Sequence, residues 1–420
     1  MSGVRIDKLQ GGMRVASDRM DAVETVSVGL YVGAGTRHEP AAINGAAHML
    51  EHMAFKGTAT RDAKAIAEEI ESVGGFMNAH TGREQTAYYI KCLKEDLDLA
   101  LDILGDIFLN SAFDPAEFER ERGVILQELG QVEDTPDDVI FDRFQETAFP
   151  DQAIGRPVLG TAEIIRTLPR QAALDWRRRV YAPGSVILTA AGNLDPARLL
   201  ARAEAIFGGW RGEATPVEEP ARYRGGEFRD DSDLEQAHLV LGFPGVGVRD
   251  PDYWAVQVYA TLLGGGMSSR LFQEIREKRG LCYSISAHAS SYADGGIFDV
   301  YTGTGEAEMA ELIPALVAEL RGTRAAPSAA EVRRAKAQMR AGLLMSLEST
   351  NARMDALGAN LLVFGRDVPP EEVSAKIEAV TADDIVRAAT RILAGRPTLA
   401  ALGPLAKLDP LAKIAERLAA

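Results

Sequence analysis

The sequence predicts an α+β fold built from two similar domains, each an antiparallel-rich sheet with helices packed on one face. Three observations predict it. "FMNAHTGREQTAYYIKCL" (76–93) and "SISAHASSYADGGIFDVY" (284–301) match in pattern at an offset of 208, with Ala79-His80 falling on Ala287-His288. The order of strand-like and helix-like periodicities is the same in both halves. Between the halves lies "GGWRGEATPVEEPARYRGG" (208–226), a Gly/Pro/Glu-rich stretch that reads as a linker. The expected domains are 1–212 and 227–420, joined by 213–226.

Each half opens with a strand, "TVSVGLYVGAG" in the first and "AHLVLGFPGVG" in the second, and passes through a polar loop into a helix. A second helix follows ("RDAKAIAEEIESVGG", "SSRLFQEIREKRGL"), then the two repeated strands. An amphipathic helix comes next ("KEDLDLALDILGDIFLN", "GEAEMAELIPALVAELRG").

Composition narrows the function classes. Hydrophobic residues at 46% and charged residues at 25% suit a globular chain with large cores. A net charge of −15 argues against nucleic acid as a partner and is compatible with basic peptides or with solubility alone. Two cysteines, Cys92 and Cys282, are too few for a disulfide scaffold or a thiolate zinc site. The first twenty residues carry no apolar core of signal-peptide length. No run of 18 apolar residues predicts a membrane span. A cytoplasmic, reducing compartment is expected. "GGGMSS" (264–269) lacks the Lys-Ser/Thr of a phosphate loop and reads as a tight turn.

The chemistry concentrates in "HMLEHMAF" (48–55). His48 and His52 are four apart with Glu51 beside them, in a run of strong helix formers. Positions i, i+3 and i+4 share a helical face, so the three converge. The rest of the helix is apolar, and buried imidazoles and carboxylates need partners. A divalent metal is one such partner, and a catalytic zinc uses three protein ligands and a water. At the repeat offset, His48 falls on Val256, Glu51 on Tyr259 and His52 on Ala260. The second half keeps the helix without these groups, so the fold does not need them. For the third ligand, "PAEFERERGVILQELGQVED" (115–134) puts Phe118, Glu121, Ile125, Glu128 and Val132 on one stripe. Either Glu121 or Glu128 could be the ligand, and spacing does not choose. The plain alternative for a buried acid there is an Arg partner, such as Arg120 or Arg122.

"HMLEH" is the H-x-x-E-H arrangement of inverzincins. With "AAHMLEHMAFKGT", "GGFMNAHTGREQTAYY", "ERERGVILQEL" and "GGGMSSRLFQEIREKRGLCYSI", the chain resembles the pitrilysin-type metallopeptidases over nearly its whole length. It resembles in particular the group of mitochondrial processing peptidase β subunits and their bacterial relatives. The resemblance implies a zinc ligand 76 positions after the second histidine, which selects Glu128. It implies one zinc ion per chain held by His48, His52 and Glu128, with Glu51 as general base and Glu121 as an accessory acid. Arg276 and Tyr283 resemble a family pair that contacts substrate. Asn78 and Ala79 match the family's substrate-binding strand, where an extended peptide adds by backbone pairing. The implied function is a zinc endopeptidase acting on peptides or unfolded precursor segments, and a homodimer is expected, with no nucleic acid partner and no membrane span. The alternatives are a non-catalytic core subunit of the same fold, or the catalytic half of a heterodimer.

Overall fold

The computed structural model of the chain describes residues 3–419. Two mixed sheets carry the fold. The first holds β1 (Val4–Lys8), β2 (Arg14–Arg19), β3 (Thr25–Val32), β4 (Phe76–Thr81), β5 (Thr86–Leu93) and β6 (Val186–Gly192), in the order β1-β2-β6-β3-β5-β4. The second holds β7 (Gly226–Asp231), β8 (Ala237–Gly245), β9 (Ser284–Ser291), β10 (Gly296–Thr304) and β11 (Thr398–Gly403), in the order β7-β11-β8-β10-β9. Without β1, the two orders correspond strand for strand. In each, one parallel pair (β2/β6, β7/β11) joins an otherwise antiparallel sheet. The fold is thus α+β with two alike sheets, and the repeated sequence stretches are the hairpins β4–β5 and β9–β10.

The burial of β3 shows how the first sheet is covered. Val26, Val28, Leu30 and Val32 enter the main core. That core is shared with the helices Ala46–Ala54, Leu97–Leu109 and Pro196–Phe207. Ser27, Gly29 and Tyr31 alternate to the other face, yet Ser27 and Tyr31 are as buried as the valines. The helix Thr350–Phe364 covers them. Ser27 Oγ lies 2.8 Å from Thr350 Oγ1, Tyr31 donates to Asp355, and Thr189 Oγ1 donates to the Met354 carbonyl at 3.2 Å. Gly358 permits the approach, because a Cβ there would stand 2.6 Å from the Tyr31 ring.

The second sheet is covered in the same way by the helix Pro136–Ala148. Its Val139, Ile140, Phe144 and Ala148 pack with Val240, Ala400 and Leu402. Each half of the chain therefore lends one helix to the other half's sheet. The compact units follow this exchange and not a single cut. One comprises Met1–Gly130, Arg156–Glu219 and Leu344–Pro369; the other comprises Gln131–Gly155, Pro220–Leu343 and Pro370–Ala420. Residues 211–225, in the stretch expected as a linker, contain no helix or strand.

This exchange has a measurable consequence. Residues 1–219 expressed alone lack Met354, Leu357 and Leu361, which bury Ala16, Tyr31, Ala87 and Ile187. The fragment should aggregate or lose near-UV circular dichroism, and co-expression with residues 220–420 should restore a soluble, co-purifying pair. A folded, monomeric 1–219 fragment with the full-length protein's Tm would contradict the exchange as a stability requirement.

Candidate metal centre

The helix Ala46–Ala54 seats Ala46, Ala47, Met49, Leu50, Met53 and Ala54 in the first core. His48, Glu51 and His52 occupy its remaining face and are half-buried. The helix Pro115–Glu133 brings Phe118, Glu121 and Ile125 into the core, with Leu129 next. Glu128 lies at the flank of that buried face, with 37% of its side chain exposed, so the stripe runs through Leu129 and leaves Glu128 beside the histidines.

His48 Nε2 is 3.7 Å and His52 Nε2 3.6 Å from Glu128 Oε2. These separations exceed hydrogen-bond length. They approach the ~3.4 Å ligand–ligand edge of a tetrahedron with zinc–ligand bonds near 2.0–2.1 Å. His48, His52 and Glu128 form the only group of three or more such side chains, among the described residues, whose donor atoms lie within 4.8 Å of one another. The donor set suits zinc.

Protonation states follow from the neighbours. His52 Nδ1 lies 2.9 Å from Glu121 Oε2, and a carboxylate can only accept, so Nδ1 carries a proton and Nε2 is the nitrogen turned towards Glu128. Glu121 Oε1 is 2.7 Å from Lys56 Nζ. Burial alone would raise the Glu121 carboxyl, but hydrogen bonds from Lys56 and His52 outweigh it and hold it below the usual range. Glu121 therefore pairs with Lys56 and His52; Arg120 pairs with Glu117 and Arg122 with Glu119. Burial, with His52 second, lowers His48 to about 4, which leaves it neutral at physiological pH. The Glu51 carboxyl is raised, chiefly by burial, although a hydrogen bond from Thr81 Oγ1 and the neighbouring imidazoles oppose the shift.

Among the described residues, the edge strand β4 pairs only with β5. Along it Met77, Ala79 and Thr81 are the more buried residues, and Met77 and Ala79 pack on the main core. Asn78 shares the opposite, exposed face with Phe76 and His80, and its Oδ1 accepts from the Ala79 N–H at 2.8 Å. So Ala79 shares the Thr81–Glu51 face and Asn78 does not.

Arg276 and Tyr283 belong to the second unit, where the structure brings them together. The expected second helix is π-helical over Phe272–Glu277. It places the Arg276 guanidinium 4.4 Å from the Phe272 ring centre and 5.8 Å from that of Tyr283. Tyr283 is 75% exposed, unusual for a large aromatic side chain. The segment leading into this turn is pinned by Arg270, whose Nε is 2.5 Å from Glu331 Oε1.

Sequence reasoning missed Lys56 and Thr81. Lys56 stands four residues after His52, and Thr81 two after Ala79. Strand periodicity could have found Thr81, whereas Lys56 lies past the end of the histidine helix and no periodicity points to it.

Residues 14–162 match the family described as Insulinase (Peptidase family M16), and residues 167–339 match the Peptidase M16 inactive domain. The chain belongs to peptidase family M16. An uncharacterized zinc protease of Rickettsia felis is 39% identical over 95% of this chain and 97% of its own. The Bacillus subtilis relative YmxG, also an uncharacterized zinc protease, is 36% identical over 90% of this chain and 92% of its own. A protease from Helicobacter pylori has the same fold at TM-score 0.87 and 21% identity, covering 96% of this chain and 100% of its own. A chain of complex III2 from Candida albicans, Inz-5 bound, matches at TM-score 0.87 and 22% identity, covering 99% of this chain and 100% of its own. Within this M16 chain, no helix of the described residues is long and apolar enough to cross a membrane.

The Arg270–Glu331 pair sets a pH dependence. Hydrogen bonds from Arg270, then Ser328, outweigh burial and lower Glu331 to about 2. A depressed carboxyl stabilises the fold above its unfolded pKa, and this contribution is lost as pH falls from about 4.5 to 2. The shift corresponds to at most about 3 kcal/mol, reduced by solvent at a pair one-fifth exposed. Unfolding titrations should show wild type more stable than Glu331→Gln at pH 7, with the gap narrowing below about pH 4.5 and closing only near pH 2. A pH-independent gap would refute this account.

Proposed function

We propose that this M16 chain is a zinc-dependent endopeptidase cleaving peptides or unfolded precursor segments held in extended form. His48, His52 and Glu128 hold one zinc ion per chain, and Glu51 is the general base. The observation that carries the reading is the convergence of two imidazole nitrogens and one carboxylate oxygen at 3.6–3.7 Å beside the half-buried Glu51. Zinc bound there lowers the pKa of a water towards neutrality and polarises a carbonyl.

The chain's own groups do the rest. Glu51 takes a proton from the attacking water and gives it to the leaving amine; its raised pKa suits both roles. Thr81 orients Glu51 from the end of β4. Glu121, held by Lys56, fixes the His52 tautomer. The free edge of β4, with Asn78 and Ala79, pairs with the substrate backbone, which gives affinity with little demand on sequence. Arg276 and Tyr283 donate to a substrate carbonyl and to the oxyanion.

A homodimer belongs to the same reading, supported by the pairing of zinc-type and Arg/Tyr groups in a single chain. A cytoplasmic location also belongs to it, supported by two unpaired cysteines. A non-catalytic core subunit would have no use for the convergent donors.

Two experiments test the assignment. Glu51→Gln should retain about one zinc per chain and lose peptide cleavage by ~10²–10⁴-fold. Zinc missing from a folded Glu51→Gln protein would make Glu51 a ligand. Glu128→Gln should empty the site at zinc concentrations that saturate wild type, because a neutral amide is a poor ligand. Glu121→Gln should cost roughly 10–100-fold in affinity. The reverse ranking would exchange the roles of the two acids.

A further inference from the structure

Glu39 is a buried carboxylate with no part in the reaction above. It is 3% exposed and stands just upstream of the histidine helix. Its Oε2 accepts from the Gly45 N–H at 2.8 Å and the Asn44 side-chain amide at 3.0 Å; its Oε1 accepts from the Ala47 N–H at 2.5 Å. Helix N-termini usually satisfy such amides with a Ser, Thr, Asp or Asn at the cap position itself. Here the cap is Gly45, at φ +96°, and a Cβ there would stand 2.7 Å from both Ile165 Cδ1 and the Leu159 carbonyl oxygen. No side chain fits at the cap, so the acceptor comes from outside the helix.

Glu39 is itself anchored. Arg156 Nη2 donates to its carbonyl at 2.5 Å, and Trp176 Nε1 donates to the His38 carbonyl at 3.1 Å. Burial pushes the Glu39 carboxyl up to about 7, even though three hydrogen bonds and the Arg156 charge oppose it. An ionised group in such a place is costly, and a neutral acceptor would satisfy one amide more cheaply. A carboxylate does what one neutral acceptor cannot: its two oxygens take two different amides of the helix entry. That two-point grip fixes both the height of the helix and its roll about its axis. Roll matters for ligands. A side-chain tip lies roughly 5–6 Å from a helix axis, so a roll of about 10° displaces it by roughly 1 Å. Metal–ligand distances tolerate about ±0.2 Å. His48 follows Ala47 directly, and Glu51 and His52 lie one turn further on the same nine-residue helix.

We propose that Glu39 is a positioning residue of the metal centre: its carboxylate clamps the Gly45 and Ala47 amides and so fixes where His48, Glu51 and His52 stand. The inference rests on the zinc reading above, and the test separates the two.

Glu39→Gln preserves volume, but whichever way its amide turns, one clamped N–H faces an NH2 group and loses its acceptor. Zinc affinity of the metal-free protein is measured by chelator competition, and the site geometry by the visible spectrum of the cobalt-substituted protein. The comparison is a Phe207→Leu variant, altered in the same core, with its Tm loss measured alongside. Glu39→Gln should weaken zinc binding roughly 10–100-fold, in the range of other changes behind the ligands, and should alter the cobalt spectrum. Phe207→Leu should bind zinc within twofold of wild type. Zinc affinity of Glu39→Gln within twofold of wild type, or an equal loss in Phe207→Leu at a similar Tm, would overturn the proposal. If Glu39→Gln does not fold, Asn44→Ala removes one donor to the carboxylate; a several-fold loss of affinity supports the clamp and unchanged affinity overturns it. Wild type that binds no zinc would overturn the zinc reading itself and with it the role of Glu39, a failure visible before any variant is made.

Discussion

Two imidazole nitrogens and a carboxylate oxygen face one another at distances too long for hydrogen bonds. His48 is neutral, and the Nδ1 proton of His52 is committed to Glu121, which turns the other ring nitrogen of His52 towards the carboxylate. At such separations the three groups make no hydrogen bond to one another. The surroundings keep the atoms in place despite that. Six apolar residues hold one helix in the core, and Phe118 and Ile125 hold the other. Lys56 compensates Glu121, whose hydrogen bond fixes the ring of His52. The arrangement therefore depends on packing and on polar contacts one layer behind the facing atoms.

The second unit shows what the same topology does without this demand. Its helix Tyr253–Gly264 carries Val256, Tyr259 and Ala260 at the positions equivalent to the polar triplet, all buried. Tyr259 stacks on Phe298 at 4.8 Å, with its hydroxyl 3.0 Å from Thr323 Oγ1. A core aromatic fills the place that a carboxylate holds in the first unit. The polar triplet is thus an addition to the fold, made where an edge strand and a second helix leave the face half-open.

What was readable in the sequence divides by range. The i, i+3, i+4 convergence of His48, Glu51 and His52 is a local property, and so are the paired hairpins. The choice between Glu121 and Glu128 was not local. Both acids lie near one helical stripe, and resemblance, not spacing, selected Glu128. In the fold Glu121 meets Lys56 and His52 Nδ1 while Glu128 faces both Nε2 atoms. The exchanged helices were not legible either. No local pattern in Pro136–Ala148 or Thr350–Phe364 ties either helix to the other half, and only the burial of Ser27 and Tyr31 on the second face of β3 reveals the cover. Glu39 was hidden for the same reason, because the two helix-entry groups it clamps are backbone amides that leave no trace in side-chain pattern.

The hydrogen bond from Thr81 to Glu51 bears on specificity. Thr81 ends the edge strand β4, and Ala79 lies on the same face two residues earlier. In the proposed reading, a peptide paired to β4 is measured against Glu51 by its register along that strand. A slip of two residues moves the backbone by roughly 6.5–7 Å, and a slip of one turns every side chain to the opposite face. The scissile bond is then selected by where an extended segment can pair, and side-chain pockets act only as a filter on that choice. Backbone pairing treats most sequences alike but rejects folded chains and segments with proline at a position that must donate. In that reading, substrates would be defined first by being unfolded and only second by their sequence.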